Sequence, residues 1–492
     1  MRSFLFTRPT VNLRTPPLWR SRRLADPWLA AFAGLFLILR IDRLRGQIPH
    51  VFPDTSTYRA AKSLYPHTLS FTGHALRPWT LPLIYRILGD DHRIMKLQVA
   101  LGILAWLVLA AVVADRIADP VVRRGLVGLL LFLGLTQQAM VWDLDLISES
   151  LSLSLALLLV AAVHRFWLDH SRLAGATVVG LMTLLMFTRL VMFAVAVVLC
   201  GLCLGLGALR RNRVRLIVGL ALVPILAWGQ VANARQNDGY RVRDHLDVSY
   251  FEENLGNLLF KRYLPDPESF RWFQARGMPA LAPGMHASVV ADQRVQDWEP
   301  WQAFFVQFRT RPEWKGWAEK QGTGLLGKYF IAHPVKTTRW FADLWPHLDR
   351  SPWDLNYGPD LHPIGNTLFF WGAAHTPFLS DTGVMIFVAL LLAWRVRRRK
   401  LVAGIPLIGL QLVTIAFALF AAFAAWFLSG YEHMRHMVPS VHLIRAALLV
   451  IIAVLADALV RHRRAGVLDT HAGAEAETLP SRIAPMEVAI EP

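Results

Sequence analysis

One carboxylate of this chain stands where it could act as a general base. Asp54 lies in the sequence Pro-Asp-Thr-Ser-Thr-Tyr, which ends at Tyr58 and follows a first apolar stretch. An aspartate at that point could remove a proton from a hydroxyl group presented at a membrane surface, with Tyr58 as a candidate substrate contact. The same residue pattern is also typical of a helix N-terminus, where the Asp54 side chain would cap the backbone. The residues alone leave both interpretations of Asp54 open.

A second group of acids lies in the sequence Trp-Asp-Leu-Asp-Leu-Ile-Ser-Glu-Ser, residues 142–150. Asp145 and Glu149 are four residues apart, so a helix through them would place both carboxylates on one face. Such a pair could hold a divalent cation or bind sugar hydroxyls. The alternative is that acids at a helix N-terminus complement the helix dipole. A divalent cation therefore stays an open alternative, with no ligand set assigned.

Three arginines could receive an anion. Arg189 follows Thr188 in a tight turn between two apolar segments, Arg435 lies in the last short polar loop, and Arg445 lies inside the apolar segment that follows. A cation at that depth is costly unless it is paired, and a lipid phosphate is a natural bidentate partner for a guanidinium group. The alternatives are snorkelling to the interface for Arg435 and a structural salt bridge for Arg445.

The elements that position these residues are membrane spans. The 492-residue chain is 54% hydrophobic and only 18% charged, whereas a soluble globular chain carries about a quarter charged residues. Its uncharged runs approach or exceed the roughly 20 residues that cross a hydrocarbon core. We predict an all-α polytopic membrane protein with about ten transmembrane helices. Their predicted positions are 27–41, 93–114, 125–141, 148–163, 173–188, 190–209, 215–232, 381–394, 401–428 and 437–460.

The placement of arginines predicts the orientation. The first 25 residues contain six arginines and no acidic residue, and basic clusters recur at every second connection. This alternation is the positive-inside pattern, so both termini are predicted to be cytoplasmic and the loops with Asp54, Glu149 and Arg189 to face outward. The net charge of +17 is then explained by topology and by attraction to anionic membrane lipids, and we predict no nucleic-acid partner.

The spans divide the chain into five parts. They are a basic cytoplasmic N-terminus (1–26), an N-terminal transmembrane module with the catalytic outer loops (27–232), a mixed soluble segment on the outer, periplasmic face (233–380), a C-terminal transmembrane module (381–461) and a disordered cytoplasmic tail (462–492). Nine of the 18 tryptophans fall in 233–380, where they could stack on sugar rings or rest on the bilayer surface. Cys200 and Cys203 are predicted to be small residues at a helix interface.

The order of these features resembles the GT-C superfamily of membrane glycosyltransferases, which includes the protein O-mannosyltransferases and the aminoarabinose transferase of lipid A. The resemblance covers mainly residues 20–210 and 425–460 and depends on four short motifs, whose order and common sidedness give it weight. They are Pro53-Asp54-Thr55-Ser56-Thr57-Tyr58, Arg77-Pro78-Trp79-Thr80-Leu81-Pro82, Ser148-Glu149-Ser150-Leu151, and the Arg-x-x-x-Pro segment from Arg435 to Pro439.

The resemblance implies a GT-C-like fold and a set of site residues. These are Asp54 as catalytic base and Glu149 as a second acidic residue, with Tyr58, Arg77, Asp145, Arg189, Arg435 and Arg445 as substrate contacts. Of these, Arg189, Arg435 or Arg445 would receive the lipid phosphate. Where many members of the family have Asp-Glu in the first loop, this chain has Asp54-Thr55. That departure puts a metal role there in doubt.

The function implied is transfer of a sugar from a polyprenyl-phosphate donor to an envelope acceptor hydroxyl on a glycan, lipid or protein. The acceptor oxygen would invert the anomeric carbon as Asp54 takes its proton, and a preplaced arginine would stabilise the departing phosphate. The expected location is the bacterial cytoplasmic (inner) membrane. Two alternatives stay open: a lipid or polyprenol-saccharide transporter, which needs a continuous polar pathway, and a non-catalytic accessory subunit of the envelope.

Overall fold

The computed structural model is helical wherever the chain is described. The described residues are 21, 23–52, 54–61, 78–169, 171–189, 191–243, 255–286, 303, 304, 306, 308, 310–350, 381–401, 404–428 and 433–478. Side chains are described for these residues except at 61, 191, 232–243, 322–323, 346–350, 433–435 and 466–478. Within these ranges there is no β-strand, and one isolated parallel bridge joins His50 to Asp145.

The helices are numbered here in chain order. They are α1 Pro27–Leu44, α2 Thr55–Ala61, α3 Thr80–Leu88, α4 Asp91–Ala114, α5 Pro120–Leu133, α6 Gln137–Met140, α7 Ser148–Asp169, α8 Arg172–Met186, α9 Val191–Leu209, α10 Arg213–Arg243, α11 Pro267–Gln274, α12 Pro312–Trp317, α13 Thr323–Ala332, α14 Pro334–Arg350, α15 Asp381–Arg398, α16 Ile405–Leu428 and α17 His433–Thr478. A 3-10 turn, Val141–Asp143, follows α6, and π-helical turns occupy Leu259–Tyr263 and Ala318–Gly322.

Aspartate–proline pairs start three of these helices. Asp26, Asp119 and Asp266 are the N-caps of α1, α5 and α11, and each carboxylate accepts a hydrogen bond from a backbone N–H of the first turn. The proline that follows each cap has a fixed φ suited to the first helical position. It also costs no hydrogen bond there, because the N–H group at that position has no partner within a helix. The local sequence therefore sets these helix starts without help from tertiary packing.

Six described helices are long and apolar enough to cross a membrane: α4, α7, α9, α10, α16 and α17. The pair α5–α6 makes a seventh if it is one span bent by 68°. The chain is thus a multi-pass membrane protein. A helix also lies at the other predicted positions, but α8 has 15 residues, and α15 carries Asp381 and three arginines in 18 residues. The count of ten spans stays a prediction.

The basic clusters meet at one end of the bundle, as the alternation predicts. Three ion pairs join them to aspartates from other helices: Asp26 with Arg124 at 2.8 Å, Asp169 with Arg116 at 2.5 Å, and Asp119 with Arg464 at 2.7 Å. We call this the basic end. The described residues of the connections 45–52, 54, 141–147 and 187–189 lie at the opposite end, which we call the loop end. Which end faces the cytoplasm stays a prediction.

Two predicted domain boundaries fall inside helices. α10 continues to Arg243, past the expected end of the transmembrane module at 232. α17 runs to Thr478, so the expected tail (462–492) begins as helix. Alanine and glutamate are frequent between 465 and 478, and both are strong helix formers, which explains the continuation. The last residues of that tail, 479–492, lie outside the described part of the chain.

The described part of 233–380 is helical rather than mixed, and its tryptophans do not behave uniformly. Trp314 and Trp317 are 0% and 6% exposed and belong to a core with Tyr263, Phe273 and Tyr329. These two buried indoles can therefore neither stack on a sugar ring nor contact the bilayer surface. Their role is to fill the core of a small helical unit. Trp298, Trp301 and Trp353 lie outside the described residues.

The last helix of this unit, α14, packs against candidate membrane-spanning helices. On α14, Phe341 contacts Trp426 of α16, with ring centroids 5.7 Å apart. Further along α14, Trp345 packs against Ala418 and Ile444, which lie within the spans of α16 and α17. α14 therefore buries apolar side chains against spanning helices, and the outer soluble segment at 233–380 stays a prediction.

Cys200 and Cys203 occupy the interface between α9 and α10. They are 5% and 0% exposed, and Cys200 Sγ lies 3.3 Å from the carbonyl oxygen of Gly219. A Cβ at Gly219 would come within 2.7 Å of Leu204, so only glycine permits this approach of the two helices. The prediction that the two cysteines are small residues at a helix interface is confirmed.

Candidate functional site

The loop after α1 is fastened to the turn before α7. The His50 N–H donates to the Leu144 carbonyl at 2.9 Å, and the Leu146 N–H donates to the His50 carbonyl at 3.1 Å. The His50 ring pairs through Nδ1 with Asp145 Oδ1 at 2.8 Å, and Asp145 is 1% exposed. The hydrogen bond to Asp145 raises the pKa of His50 above its usual value. Asp145 is therefore buried against a histidine, which argues against a direct role in binding sugar hydroxyls.

Asp54 occupies the N-cap position of α2. Its backbone carbonyl accepts hydrogen bonds from the N–H groups of Thr57 at 3.0 Å and Tyr58 at 3.3 Å. Thr55 Oγ1 donates to the Leu146 carbonyl at 3.2 Å, so Asp54 is held next to the turn that leads into α7. The Asp54 residue is partly exposed, whereas Tyr58 is 4% exposed and packs in the N-terminal core. The structure thus keeps Asp54 accessible at the loop end and places Tyr58 inside.

A buried cluster joins Glu149, Arg189 and His436. Arg189 Nη2 donates to Glu149 Oε1 at 2.5 Å and to His436 Nδ1 at 2.7 Å, and Arg189 Nη1 donates to the His436 carbonyl at 3.2 Å. Glu149 and Arg189 are 1% and 7% exposed. His436 Nδ1 lies 3.5 Å from Glu149 Oε1. One carboxylate, one guanidinium and one imidazole from three separate helical segments therefore converge at the loop end.

The turn that carries Arg189 is held from two sides. The Arg189 N–H donates to the Leu185 carbonyl, and the Met192 N–H donates to the Arg189 carbonyl, so α8 and α9 meet tightly there. From α3, the Thr80 N–H donates to the Phe187 carbonyl at 3.2 Å, and Thr80 Oγ1 donates to the Leu184 carbonyl at 2.9 Å. The predicted turn at Thr188–Arg189 is confirmed, and the 77–82 motif supplies its brace.

An apolar groove begins directly below this cluster. It is partly open and almost entirely apolar. Among the residues that line it, the polar side chains are Thr414 and Ser440. The lining comes from α7 (Ala156, Leu159, Val160, Val163), α8 and α9 (Leu185, Met192, Val195, Leu199), α16 (Leu410, Val413, Thr414, Phe417, Ala418, Ala421) and α17 (Pro439, Ser440, Leu443).

The cluster and the groove share their helices. Leu185 and Met192 lie four residues before and three residues after Arg189, Pro439 lies three residues after His436, and α7 carries both Glu149 and the groove residue Ala156. One to two helical turns therefore separate the charged groups from the apolar lining. A molecule with an anionic head and a long apolar tail would meet both surfaces at once.

Arg445 lies apart from this cluster. Its Nη2 donates to Asp381 Oδ1 at 2.8 Å, and the two side chains are 0% and 3% exposed. Nine residues of α17 separate Arg445 from His436, about 13 Å along the helix axis. This is the structural salt bridge that the sequence left as the alternative to a phosphate role. The structure does not bring Arg445 to the loop end.

A second buried arginine was missed by the sequence analysis. Arg40 of α1 is 1% exposed and donates to Asp143 Oδ2 at 2.6 Å and to the carbonyl of Gly134, the residue at the break between α5 and α6. Ser150 Oγ donates to Asp143 Oδ1 at 2.6 Å. The sequence shows Arg40 as an ordinary flanking charge, because only the bend after α5 brings residues 134–143 onto it. Its signal in the sequence is too weak to have been found.

Two predicted site residues cannot be placed. Arg77 lies outside the described residues, and Arg435 lies on α17 with its side chain outside the described part. Within the described residues, no group of three or more histidine, cysteine, aspartate or glutamate side chains could hold a metal ion.

Comparison with known proteins adds little. No family model and no curated protein matches the sequence. Among solved structures, the chain is similar to the archaeal oligosaccharyltransferase AglB from Archaeoglobus fulgidus, determined in complex with an inhibitory peptide and a dolichol-phosphate, at 11% identity and a TM-score of 0.40. The similar region covers 87% of this chain and 50% of that chain, so the chain spans about half its length. A likeness this weak does not assign a function.

Proposed function

We propose that the protein is a GT-C-like integral-membrane glycosyltransferase that takes its sugar from a polyprenyl-phosphate donor. The observation that carries the proposal is an apolar groove whose lining begins one to two helical turns from the Glu149–Arg189–His436 cluster. A groove beside the lipid accepts an isoprenoid chain without an energetic penalty, because its lining is as apolar as the bilayer. At the head of that chain the phosphate meets a guanidinium group, its preferred bidentate partner.

Within this proposal Arg189 takes the phosphate and Glu149 positions Arg189. An arginine at this depth needs a counter-charge before the donor binds, and Glu149 supplies it at 2.5 Å. When the donor phosphate arrives, Arg189 carries two anionic partners, with His436 beside them. This assignment differs from the sequence-based expectation of Glu149 as a second catalytic residue, and it explains why Glu149 is buried.

In the proposed reaction Asp54 acts on the acceptor and Arg189 on the departing phosphate. The acceptor hydroxyl gives its proton to the Asp54 carboxylate while its oxygen bonds to the anomeric carbon. The bond from that carbon to the phosphate oxygen breaks, the phosphate keeps the electron pair, and the configuration inverts. Negative charge grows on the phosphate as the bond breaks, so Arg189 stabilises the transition state more than the ground state.

The transporter alternative has weaker support. Among the described lining residues, a sugar phosphate moving along the groove would meet only Thr414 and Ser440 as polar groups and no counter-charge. An anion in such surroundings would pay a large desolvation cost. The groove suits an apolar tail that stays in place while the head group reacts at the loop end.

The test compares two aspartates in matched positions. Asp54 and Asp90 are both N-cap residues at the loop end, and asparagine caps a helix as well as aspartate does. Purified protein in lipid is incubated with a panel of radiolabelled polyprenyl-phosphate sugars. We expect wild type and Asp90→Asn to release or transfer the sugar, and Asp54→Asn to bind donor with turnover reduced by about 10²–10⁴.

Equal turnover in the two variants would remove Asp54 from the mechanism. Absence of donor binding in wild type across the whole panel would overturn the proposed donor class.

A further inference from the structure

Two large aliphatic side chains project from the corner between α13 and α14. Ile331 and Val335 are 77% and 80% exposed, more than most other exposed apolar residues of the described chain. Basic residues flank them, with Lys328 exposed on α13 and Arg339 81% exposed on α14. A small apolar tip between basic residues is typical of a segment that lies in a membrane interface.

Aromatic contacts place this corner beside the end of a candidate spanning helix. Phe330, next to Ile331, lies 5.6 Å from Phe423 and 5.9 Å from Phe427 between ring centroids. Phe341 of α14 lies 5.4 Å from Phe423. Phe423 and Phe427 of α16 belong to the last turns of the candidate span Ile405–Phe427. The corner therefore sits level with the end of a spanning helix.

The same contacts place the corner beside an exposed face of α16. Along α16 the apolar side chains of Leu412, Leu419 and Phe420 are 39–56% exposed, so they form the stripe that faces lipid. Phe423 and Phe427 follow Phe420 at intervals of three and seven residues, so they continue this stripe toward the loop end. Phe330 and Phe341 thus cover the top of a lipid-facing surface.

We propose that the α13–α14 corner inserts into the leaflet at the loop end, with Ile331 and Val335 among the acyl-chain segments nearest the head groups. Lys328 and Arg339 lie at the level of the lipid phosphates, where their alkyl stems stay in the apolar region. The bilayer is then a direct partner of the 255–350 unit. This contact holds α14 against α16 and α17 from the lipid side. The inference is independent of the proposed enzymatic activity.

The test measures the depth of single labelled positions. The chain has two cysteines, both buried, so the parent protein labelled in parallel gives the background. Ile331→Cys, Val335→Cys and the control Gln274→Cys, an exposed position on α11, are each labelled with bimane. The proteins are reconstituted in phosphatidylethanolamine–phosphatidylglycerol vesicles, with and without bromine on the acyl chains. Iodide serves as the aqueous quencher.

We expect brominated lipid to quench bimane at 331 and 335 several-fold more than at 274, and iodide to show the reverse order. Equal quenching by iodide at all three positions would overturn the proposal, because the corner would then be in water. Protection from both quenchers that depends on the protein-to-lipid ratio would also overturn it, since a second copy of the chain would then cover the corner.

Discussion

The pairing of Glu149 with Arg189 gives the sharpest test of the proposed site. We consider three variants: Arg189→Gln, Glu149→Gln and the double substitution. Arg189→Gln leaves the Glu149 carboxylate, 1% exposed, without its cation, and Glu149→Gln leaves the cation without its carboxylate. Removing one member of a buried ion pair costs about 3–5 kcal/mol of unfolding free energy. In the double variant two neutral amides face each other and can form a hydrogen bond.

The double variant should therefore recover most of the lost stability. A double variant that is less destabilised than either single variant requires a coupling energy larger than the cost of one single variant, about 3–5 kcal/mol, which lies above the usual range for contacting residues. Donor binding should behave differently, because only Arg189 is proposed to hold the phosphate. A hydrogen bond to a charged group contributes about 1.5–3 kcal/mol, so Arg189→Gln and the double variant should both lose about 10- to 100-fold in donor affinity.

The assay pairs two readouts on the same preparations. Tryptophan fluorescence during chemical unfolding in lipid nanodiscs gives stability, and equilibrium binding of a radiolabelled polyprenyl-phosphate sugar gives affinity. Glu149→Gln should be destabilised while binding donor at least as tightly as wild type. If the double variant regained both stability and donor affinity, Arg189 would be a structural residue and the proposed phosphate site would be refuted.

Two further predictions concern the groove and the loop end. Ala421→Phe places a ring in the groove. If the ring displaces about two methylenes of the polyprenyl tail, the tail loses about 1.6 kcal/mol of burial, and the Kd for a polyprenyl phosphate should rise about tenfold. An unchanged Kd would show that the tail binds elsewhere. Because Asp145 raises the pKa of His50, their contact stabilises the fold fully below about pH 6.5 and is lost as the pH rises through the folded-state pKa. Denaturant titrations from about pH 6 to pH 9 should thus show wild-type stability falling relative to His50→Gln, and parallel curves would contradict the assignment.

Much of the helical framework could be read from the sequence. Uncharged runs of sufficient length predicted the spanning helices, since a backbone in lipid must satisfy its own hydrogen bonds. The alternation of arginine clusters predicted which connections share an end of the bundle. The length of the uncharged runs and the placement of the arginine clusters are local or additive properties of the chain, so both can be recognised without knowledge of packing.

The sequence alone could not show which of several similar arginines binds a phosphate and which forms a structural ion pair. Arg189 and Arg445 looked equally able to hold a phosphate, and only the tertiary contacts separate them: Arg445 is buried against Asp381, and Arg189 stands above an apolar groove with Glu149. Arg40 gave no signal at all, because its partners come together only through the bend of 68° between α5 and α6. Such pairings join residues about 40 to 100 positions apart.

The sequence by itself determined that this protein is helical and membrane-spanning, because hydrophobicity, helix capping and charge placement act over a few residues at a time. The tertiary structure alone decided which charges are buried in pairs, which tryptophans form a core, and that an apolar groove lies about one helical turn from Arg189. Those outcomes depend on how helices pack, and packing is set by shape complementarity among side chains that are distant in the chain.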